Sequence, residues 1–179
     1  MADVPRELFV APALRRFAYV DRPLPIGGGQ TISQPSLVAR MCELLDVRDG
    51  DIVLDVGTGS GYHAALLSRL CRHVYGIELE ADLAEQAARS LRAAGIENVT
   101  VLAADGAAGL PGRAPFDAIN VAATASEEVP LRLQDQLAVG GRLIAPVASE
   151  GREHLVFVHR GPDGFERSRL DAVRFVPLR

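Results

Sequence analysis

The chain has 179 residues, a length typical of one globular domain. Hydrophobic residues make up 48% and charged residues 23%, which excludes a disordered, collagen-like or coiled-coil chain. The formal net charge is −4, and the 19 basic residues, all arginines, are scattered along the chain. We therefore expect no nucleic-acid partner, because such a partner calls for a clustered basic surface.

The two cysteines, Cys42 and Cys71, lie in apolar stretches and form no CxxC pair, so the sequence predicts neither a metal site nor a redox pair. The first ten residues lack the apolar core of a signal peptide, and no run reaches the ~18 apolar residues of a membrane span. We expect a cytoplasmic protein without a membrane partner, folded as a single domain over residues 1–179.

The predicted elements start after a segment rich in proline and glycine, residues 1–35, which we expect to be loop with little regular structure. The pattern then predicts, in chain order, a helix from Ser36, a strand over 51–56, a glycine turn over 57–61, a helix through 64–70, a strand over 73–77, a helix over 81–94, strands over 99–103 and 116–121, a helix over 129–137 and a strand over 142–147.

Two further apolar runs, 155–159 and 173–176, flank the turn Gly161-Pro-Asp-Gly164 and predict an antiparallel pair. Alternating strands and helices favour a parallel sheet covered on both faces. We therefore predict an α/β fold: a Rossmann-like doubly wound sheet, mostly parallel, with an antiparallel C-terminal strand pair and three αβα layers.

The glycine turn between the first predicted strand and helix is the place where such folds bind nucleotides and related ligands. A dinucleotide site requires G-x-G-x-x-G, whereas this chain has Gly57-x-Gly59-x-Gly61 followed by a tyrosine. Asp55, two residues before the first glycine, would repel a pyrophosphate but suits an ammonium group. A nicotinamide dehydrogenase is therefore the weaker interpretation, and S-adenosylmethionine, whose methionine portion carries an ammonium group, the stronger.

Two more acidic residues follow the next two strands. Glu78 can accept both hydroxyls of a ribose, and Asp105 can accept a hydrogen bond from an adenine amino group. Each acid alone also fits a structural role, as a helix cap or a turn residue. Three acids at three successive strand ends together predict one site for S-adenosylmethionine.

Several motifs resemble the protein-L-isoaspartate O-methyltransferases, and the resemblance extends over nearly the whole chain. They are Val4-Pro-Arg-Glu-Leu-Phe-Val10, Pro23-Leu-Pro-Ile-Gly-Gly-Gly-Gln-Thr-Ile-Ser-Gln-Pro35, Leu54-Asp-Val-Gly-Thr-Gly-Ser-Gly-Tyr62, Ala104-Asp-Gly106, Pro115-Phe-Asp-Ala-Ile119, Gln136-Leu-Ala-Val-Gly-Gly-Arg-Leu143 and Val173-Arg-Phe-Val-Pro-Leu178. The glycine turn is common to many methyltransferases, and the Pro-Ile-Gly to Thr-Ile-Ser stretch is much more specific to this family.

The resemblance implies an enzyme that methylates the α-carboxylate of L-isoaspartyl residues in damaged proteins with S-adenosylmethionine, and so starts their repair. It implies that residues 1–35 cover substrate and cofactor, that residues 173–178 contact the substrate, and that the protein is a monomer. It assigns Ser33 as the catalytic residue. It assigns to cofactor binding Gln30, Thr31, Ile32, Asp55, Gly57, Gly59, Ser60, Gly61, Glu78, Leu79, Asp105 and Gly106.

The chemistry agrees with this resemblance, because a carboxylate with a pKa near ~4 is ionised at neutral pH and needs no general base. We interpret the four histidines, His63 among them, as surface or packing residues. Two alternatives stay open. The segment from Asn120 to Glu128 departs from the family's usual run, which favours a carboxyl methyltransferase acting on aspartyl residues of a dedicated biosynthetic peptide. The other alternative is a non-catalytic module that binds S-adenosylmethionine.

Overall fold

The computed structural model describes residues 3–178, so Met1, Ala2 and Arg179 of the predicted domain lie outside the described residues. The helices are α1 (Pro35–Leu45), α2 (Tyr62–Leu67), α3 (Ala81–Ala93) and α4 (Leu131–Gln134). The strands are β1 (Leu24–Gly27), β2 (Gln30–Ile32), β3 (Ile52–Val56), β4 (His73–Glu78), β5 (Val99–Ala103), β6 (Phe116–Val121), β7 (Ala125–Ser126), β8 (Leu137–Ser149), β9 (Arg152–Gly161) and β10 (Gly164–Ala172). Within residues 3–178, no helix is long and apolar enough to cross a membrane.

One large sheet has the strand order β10-β9-β8-β6-β3-β4-β5, with β7 paired to β8. The strands from β8 to β5 run parallel, and β9 and β10 add to them antiparallel. The strand order reverses at β3, which has β4 on one side and β6 on the other. In doubly wound sheets the ligand crevice lies at this reversal, beyond the carboxyl ends of the strands.

The two faces of the sheet carry separate apolar clusters, which follows from the alternation of side chains along each strand. Val53 and Ala118 pack with α1 and α2 on one face. Leu54 and Ile119 pack with α4 on the other face. The predicted α/β architecture is confirmed. The layer on the second face is thin, because it consists of the four residues of α4 and short 3-10 turns over Gly106–Ala108 and Pro111–Arg113.

Residues 3–33 contain more regular structure than the sequence predicts. They form 3-10 helices over Arg6–Phe9 and Pro12–Phe17 and the hairpin of β1 and β2. Their apolar side chains, Phe9 and Ile26 among them, pack against α2 and α3. The prediction of a loop is wrong because proline and glycine interrupt long elements, while short 3-10 turns and a glycine-tipped hairpin tolerate them.

Two other boundaries differ from the prediction. The helix predicted over 129–137 ends at Gln134, and Gly140 and Gly141 form an irregularity inside β8 rather than a helix end. A side chain on Gly141 would meet the carbonyl oxygen of Ala138 at 2.8 Å. The predicted antiparallel pair is present, but its second strand is β10 and not residues 173–176, because an edge strand exposed to water needs no apolar run.

Candidate active site

Three adjoining cavities lie beyond the carboxyl ends of the parallel strands, and Thr31 and Ala122 line all three. We call them the glutamate cavity, which Glu78 lines, the serine cavity, which Ser33 and Arg174 line, and the histidine cavity, which His63 lines together with Ser33. The site therefore occupies the crevice that the strand reversal at β3 predicts.

Most predicted site residues line these cavities. The glutamate cavity includes Gln30, Thr31, Gly57, Gly59, Glu78, Leu79 and Gly106. The histidine cavity includes Thr31, Ile32, Ser33, Gly57, Gly59 and Ser60. The serine cavity includes Thr31 and Ser33. Asp55, Gly61 and Asp105 line none of the three.

Glu78 ends β4 and is 7% exposed. Its Oε2 accepts a hydrogen bond from the backbone N–H of Gly59 at 2.8 Å, and its Oε1 accepts one from the N–H of Glu80 at 3.1 Å. These two bonds fix the carboxylate at the edge of the glycine turn. Each carboxylate oxygen has a second lone pair, so Glu78 can still accept hydrogen bonds from a pair of neighbouring hydroxyls on a ligand.

Two glycines that line the cavities stand where a side chain would collide with a neighbouring residue. Gly59 has φ +55°, and a Cβ there would meet Ile26 Cδ1 at 3.2 Å. A Cβ on Gly106 would meet Val56 Cγ1 at 2.7 Å. The Cα of Gly61 faces α3, where a Cβ would approach Ala87 Cβ at 3.3 Å, and its contact with the cofactor stays a prediction. Gly61 thus allows α2 and α3 to pack closely.

A buried arginine fixes the loop that carries Ser33. The guanidinium of Arg6 donates from Nε to the carbonyl oxygen of Ala18 and from Nη2 to that of Ser33, each at 2.7 Å. It also lies 4.6 Å from the ring centroid of Tyr62. Ser33 does not cap α1, whose first turn starts after Gln34 without a side-chain cap, so the Ser33 hydroxyl is left for the cavities. Arg6 lies within the motif Val4–Val10, but the sequence predicts no role for it.

Asp55 is fully buried and its Oδ2 has no hydrogen-bond partner among residues 3–178, so its contact with an ammonium group stays a prediction. Its Oδ1 accepts a hydrogen bond from Asn120 Nδ2 at 2.7 Å. The same nitrogen lies 3.1 Å from Nδ1 of His63, which is therefore neither a surface residue nor simple apolar packing. The physical reason for the burial of Asp55 is the two-residue alternation along β3: Asp55 shares the face of Val53, which α1 and α2 cover.

Asp105 is exposed, and its Oδ1 accepts a hydrogen bond from the N–H of Ala107 at 2.9 Å. The carboxylate thereby caps the 3-10 turn over Gly106–Ala108. This is the structural role, as a turn residue, that the sequence allows for Asp105 besides the contact with adenine. It places Gly106 in the cavity wall while leaving the other oxygen of Asp105 exposed to a ligand.

The segment after β10 closes the other side of the site. The N–H of Thr124 donates to the carbonyl oxygen of Val176 at 2.7 Å, and the N–H of Leu178 donates to that of Thr124 at 2.8 Å. Glu153 Oε2 accepts hydrogen bonds from Thr124 Oγ1 and from the N–H of Phe175, both at 2.8 Å. Glu153 therefore holds residues 175–178 against the cavities, a role that no sequence motif indicated.

The charges of the cavities differ from one side to the other. Glu78 supplies a negative charge to the glutamate cavity. Arg174 supplies a positive charge to the serine cavity, where no acidic residue is among the described lining. Arg174 is exposed and forms no ion pair with any residue between 3 and 178. The serine cavity is thus suited to an anionic group beside Ser33.

Comparison with known proteins gives consistent matches. The family model described as "Protein-L-isoaspartate(D-aspartate) O-methyltransferase (PCMT)" matches residues 1–179. A protein-L-isoaspartate O-methyltransferase of Ignicoccus hospitalis is 51% identical over 182 residues, covering 99% of this chain and 86% of the relative. One of Parvibaculum lavamentivorans is 52% identical over 178 residues, covering 98% of this chain and 80% of the relative.

Solved structures show the same likeness. A Plasmodium falciparum protein named as a protein-L-isoaspartate O-methyltransferase, crystallised with S-adenosyl-L-homocysteine, superposes with a TM-score of 0.87 at 26% identity. The alignment covers 99% of this chain and 87% of that one. A second structure named as a protein-L-isoaspartate O-methyltransferase has a TM-score of 0.87 at 32% identity, with 97% of this chain and 58% of that chain covered.

Proposed function

The chain belongs to the protein-L-isoaspartate(D-aspartate) O-methyltransferase family, and we propose that it methylates the α-carboxylate of L-isoaspartyl residues in damaged proteins. The methyl donor is S-adenosylmethionine. The observation that carries the proposal is the adjacency of the glutamate cavity, which fits the adenosine part of this donor, and the cationic serine cavity, which fits a carboxylate acceptor.

The glutamate cavity fits an adenosine chemically. Val56, Ile77 and Leu79 provide apolar walls for a base, and Glu78 provides the hydroxyl acceptor for a ribose. Gly106 lines the same cavity and packs so closely on Val56 that a larger residue would collide with it. The contact of Asp105 with the adenine amino group stays a prediction, supported by its position next to Gly106.

The serine cavity fits the methyl acceptor. Arg174 attracts a carboxylate electrostatically, and the Ser33 hydroxyl can donate a hydrogen bond to one of its oxygens. Because Arg6 holds the backbone of Ser33, that hydroxyl has a defined position. Residues 175–178, held by Glu153, form the wall along which a peptide backbone would run.

The reaction asks the protein for alignment rather than for proton transfer. When bound, S-adenosylmethionine supplies an electrophilic methyl group on a sulfonium. A carboxylate oxygen forms the new bond to the methyl carbon while the carbon–sulfur bond breaks and its electron pair stays on sulfur. No proton moves, so Ser33 and Arg174 act by holding the acceptor in line and by excluding water.

The test is methyl transfer from labelled S-adenosylmethionine to an isoaspartyl peptide, with the aspartyl peptide of the same sequence as its control. We expect transfer to the isoaspartyl peptide alone. Transfer to the aspartyl peptide would favour the dedicated-peptide alternative, and binding of the donor without transfer would favour the non-catalytic one. Light scattering checks the predicted monomer, and cell fractionation the predicted cytoplasmic location.

Ser33→Ala tests the assigned catalytic residue. It should lower kcat roughly 10- to 100-fold, the effect of losing one hydrogen bond to a charged group, and leave the Kd of S-adenosylhomocysteine within twofold. Ser90→Ala, on α3 away from the cavities, is the matched control and should change neither quantity. Equal losses in kcat and in affinity for Ser33→Ala would contradict the acceptor-positioning role.

A further inference from the structure

Three polar side chains form a buried chain of contacts beneath the glycine turn. Asp55 and Asn120 are directly opposed in the parallel pairing of β3 with β6, and both are 0% exposed. Asn120 Nδ2 lies 2.7 Å from Asp55 Oδ1 and 3.1 Å from Nδ1 of His63, which is 8% exposed. The proposed reaction uses neither of these two contacts.

The order of these contacts fixes where the histidine carries its proton. An ionised carboxylate only accepts hydrogen bonds, so Asp55 holds the amide of Asn120 with its nitrogen inward. The second N–H of that amide donates to His63 Nδ1, which must then be an acceptor. The proton of the neutral ring is therefore on Nε2. In proteins the hydrogen bond made by one ring nitrogen generally decides which nitrogen of a histidine carries the proton.

The Nε2 atom is buried and has no hydrogen-bond partner among residues 3–178. Buried donors are generally satisfied, and those without a protein partner call for a ligand or a water. His63 lines the histidine cavity together with Gly57, Gly59 and Ser60. This cavity has a volume of about 40 Å³, enough for one carboxylate or for two to three waters at roughly 10–15 Å³ each.

The position of the histidine cavity decides which ligand group would meet His63. The cavity shares Gly57 and Gly59 with the glutamate cavity, where the adenosine is proposed to lie. It shares Thr31, Ser33 and Ala122 with the serine cavity but does not include Arg174, the cation assigned to the acceptor carboxylate. The group that reaches it from the adenosine side is the amino-acid end of the methyl donor.

We propose that His63 is a cofactor-binding residue whose Nε2–H donates a hydrogen bond to the carboxylate of the methionine portion of S-adenosylmethionine, and that Asp55 and Asn120 are positioning residues that hold the ring in this tautomer. The inference rests on the proposed function, since it needs S-adenosylmethionine as the ligand. It gives Asp55 an indirect role through Oδ1 and two neighbours, while the contact of its unpartnered Oδ2 with the ammonium group stays a prediction.

The test compares two ligands that differ in the amino-acid portion. S-adenosylhomocysteine carries it, and 5′-methylthioadenosine lacks it. In calorimetric titrations, His63→Leu should weaken S-adenosylhomocysteine roughly 10- to 100-fold and leave 5′-methylthioadenosine within twofold. His63→Gln, which retains an N–H donor, should recover part of the loss. The control His159→Leu, on β9 outside the cavities, should affect neither ligand.

A spectroscopic measurement keeps the inference testable if a variant folds poorly. The ¹⁵N shifts of the His63 ring in the wild-type protein should report a protonated Nε2 and an unprotonated Nδ1. S-adenosylhomocysteine, but not 5′-methylthioadenosine, should move the Nε2 signal, and Asn120→Leu should allow the tautomers to mix.

Equal weakening of both ligands by His63→Leu would reveal a structural role, and no weakening would reveal no contact; either result overturns the inference while leaving the proposed function intact. An Nδ1-protonated ring in the wild-type protein would also overturn it. Wild-type protein that binds neither ligand would instead overturn the proposed function, and the inference with it.

Discussion

Asp55 and His63 should make opposite contributions to stability as the pH changes. Burial raises the pKa of Asp55 from 3.8 to about 6, with hydrogen bonds from Asn120 and Thr58 opposing the rise and the charge of Glu78 adding to it. Burial lowers the pKa of His63 from 6.5 to about 4. Both groups therefore bind protons differently in the native and the unfolded chain over the same pH range.

The signs follow from proton counting. Between about pH 4 and 6 the native state holds a proton on Asp55 that the unfolded chain has released, so this group lowers the stability as the pH rises. Between about pH 4 and 6.5 the unfolded chain holds a proton on His63 that the native state lacks, so this group raises the stability as the pH rises. At ~1.36 kcal/mol per pH unit, each effect amounts to about 3 kcal/mol, and the two nearly cancel.

Single substitutions should reveal the pH dependence of stability that each of the two groups contributes. Asp55→Asn leaves the histidine effect, and we expect this variant to gain about 3 kcal/mol relative to wild type between about pH 4 and 6. His63→Gln leaves the aspartate effect, and we expect this variant to lose about 3 kcal/mol relative to wild type over the same range. Urea unfolding at half-unit pH steps measures the free energy of unfolding, and subtracting the wild-type curve removes the other titrating groups. Variant curves parallel to the wild type would refute the reasoning.

Three further substitutions test the site and its frame. Arg142→Met removes a largely buried ion pair with Asp51 and should lower the free energy of unfolding by about 3–5 kcal/mol. The control Arg89→Met removes an exposed ion pair with Glu85 and should cost less than ~1 kcal/mol. A similar cost for both variants would contradict the role of burial. Gly106→Ala should lower the free energy of unfolding by about 1–3 kcal/mol and weaken the binding of S-adenosylhomocysteine. The control Gly112→Ala should do neither, because a Cβ at Gly112 has no heavy atom within 4 Å. Thermal unfolding measures the stability of both variants, and calorimetry measures their affinity. Glu78→Gln replaces one of the two accepting oxygens with an amide nitrogen, which cannot accept the N–H bond of Gly59 or Glu80 that this oxygen accepted. The variant should raise the Kd of S-adenosylhomocysteine roughly 10- to 100-fold, and an unchanged Kd would remove Glu78 from the site.

The buried parallel strands could be predicted from the sequence because their signal is local. Strands covered on both faces appear as short apolar runs between turn residues, and β5 and β6 have the predicted bounds. β10 gives no such signal, because it is exposed at the sheet edge. Leu137 fits the helical spacing of the preceding residues, yet it pairs with Phe116 in the sheet, a long-range choice that no local pattern contains.

The candidate site could also be predicted only in part from the sequence. Glu78 and the Ser33 loop could be picked out from motifs, and both line the cavities. The alternation along β3 could have shown that Asp55 faces the helices, since Val53 on the same face had to be buried. Arg6 and His63 could not be assigned roles, because their functions depend on which atoms meet across separate elements.

The edges of the sheet matter for an enzyme that works on damaged proteins. Such substrates expose strands that can add to any open sheet edge and seed aggregation. Along β10 the solvent-facing residues include Glu166, Arg167, Arg169 and Asp171, and charges of this kind oppose the docking of another strand. At the opposite edge β5 has only five residues. Both edges of the sheet therefore disfavour the addition of a strand from a substrate.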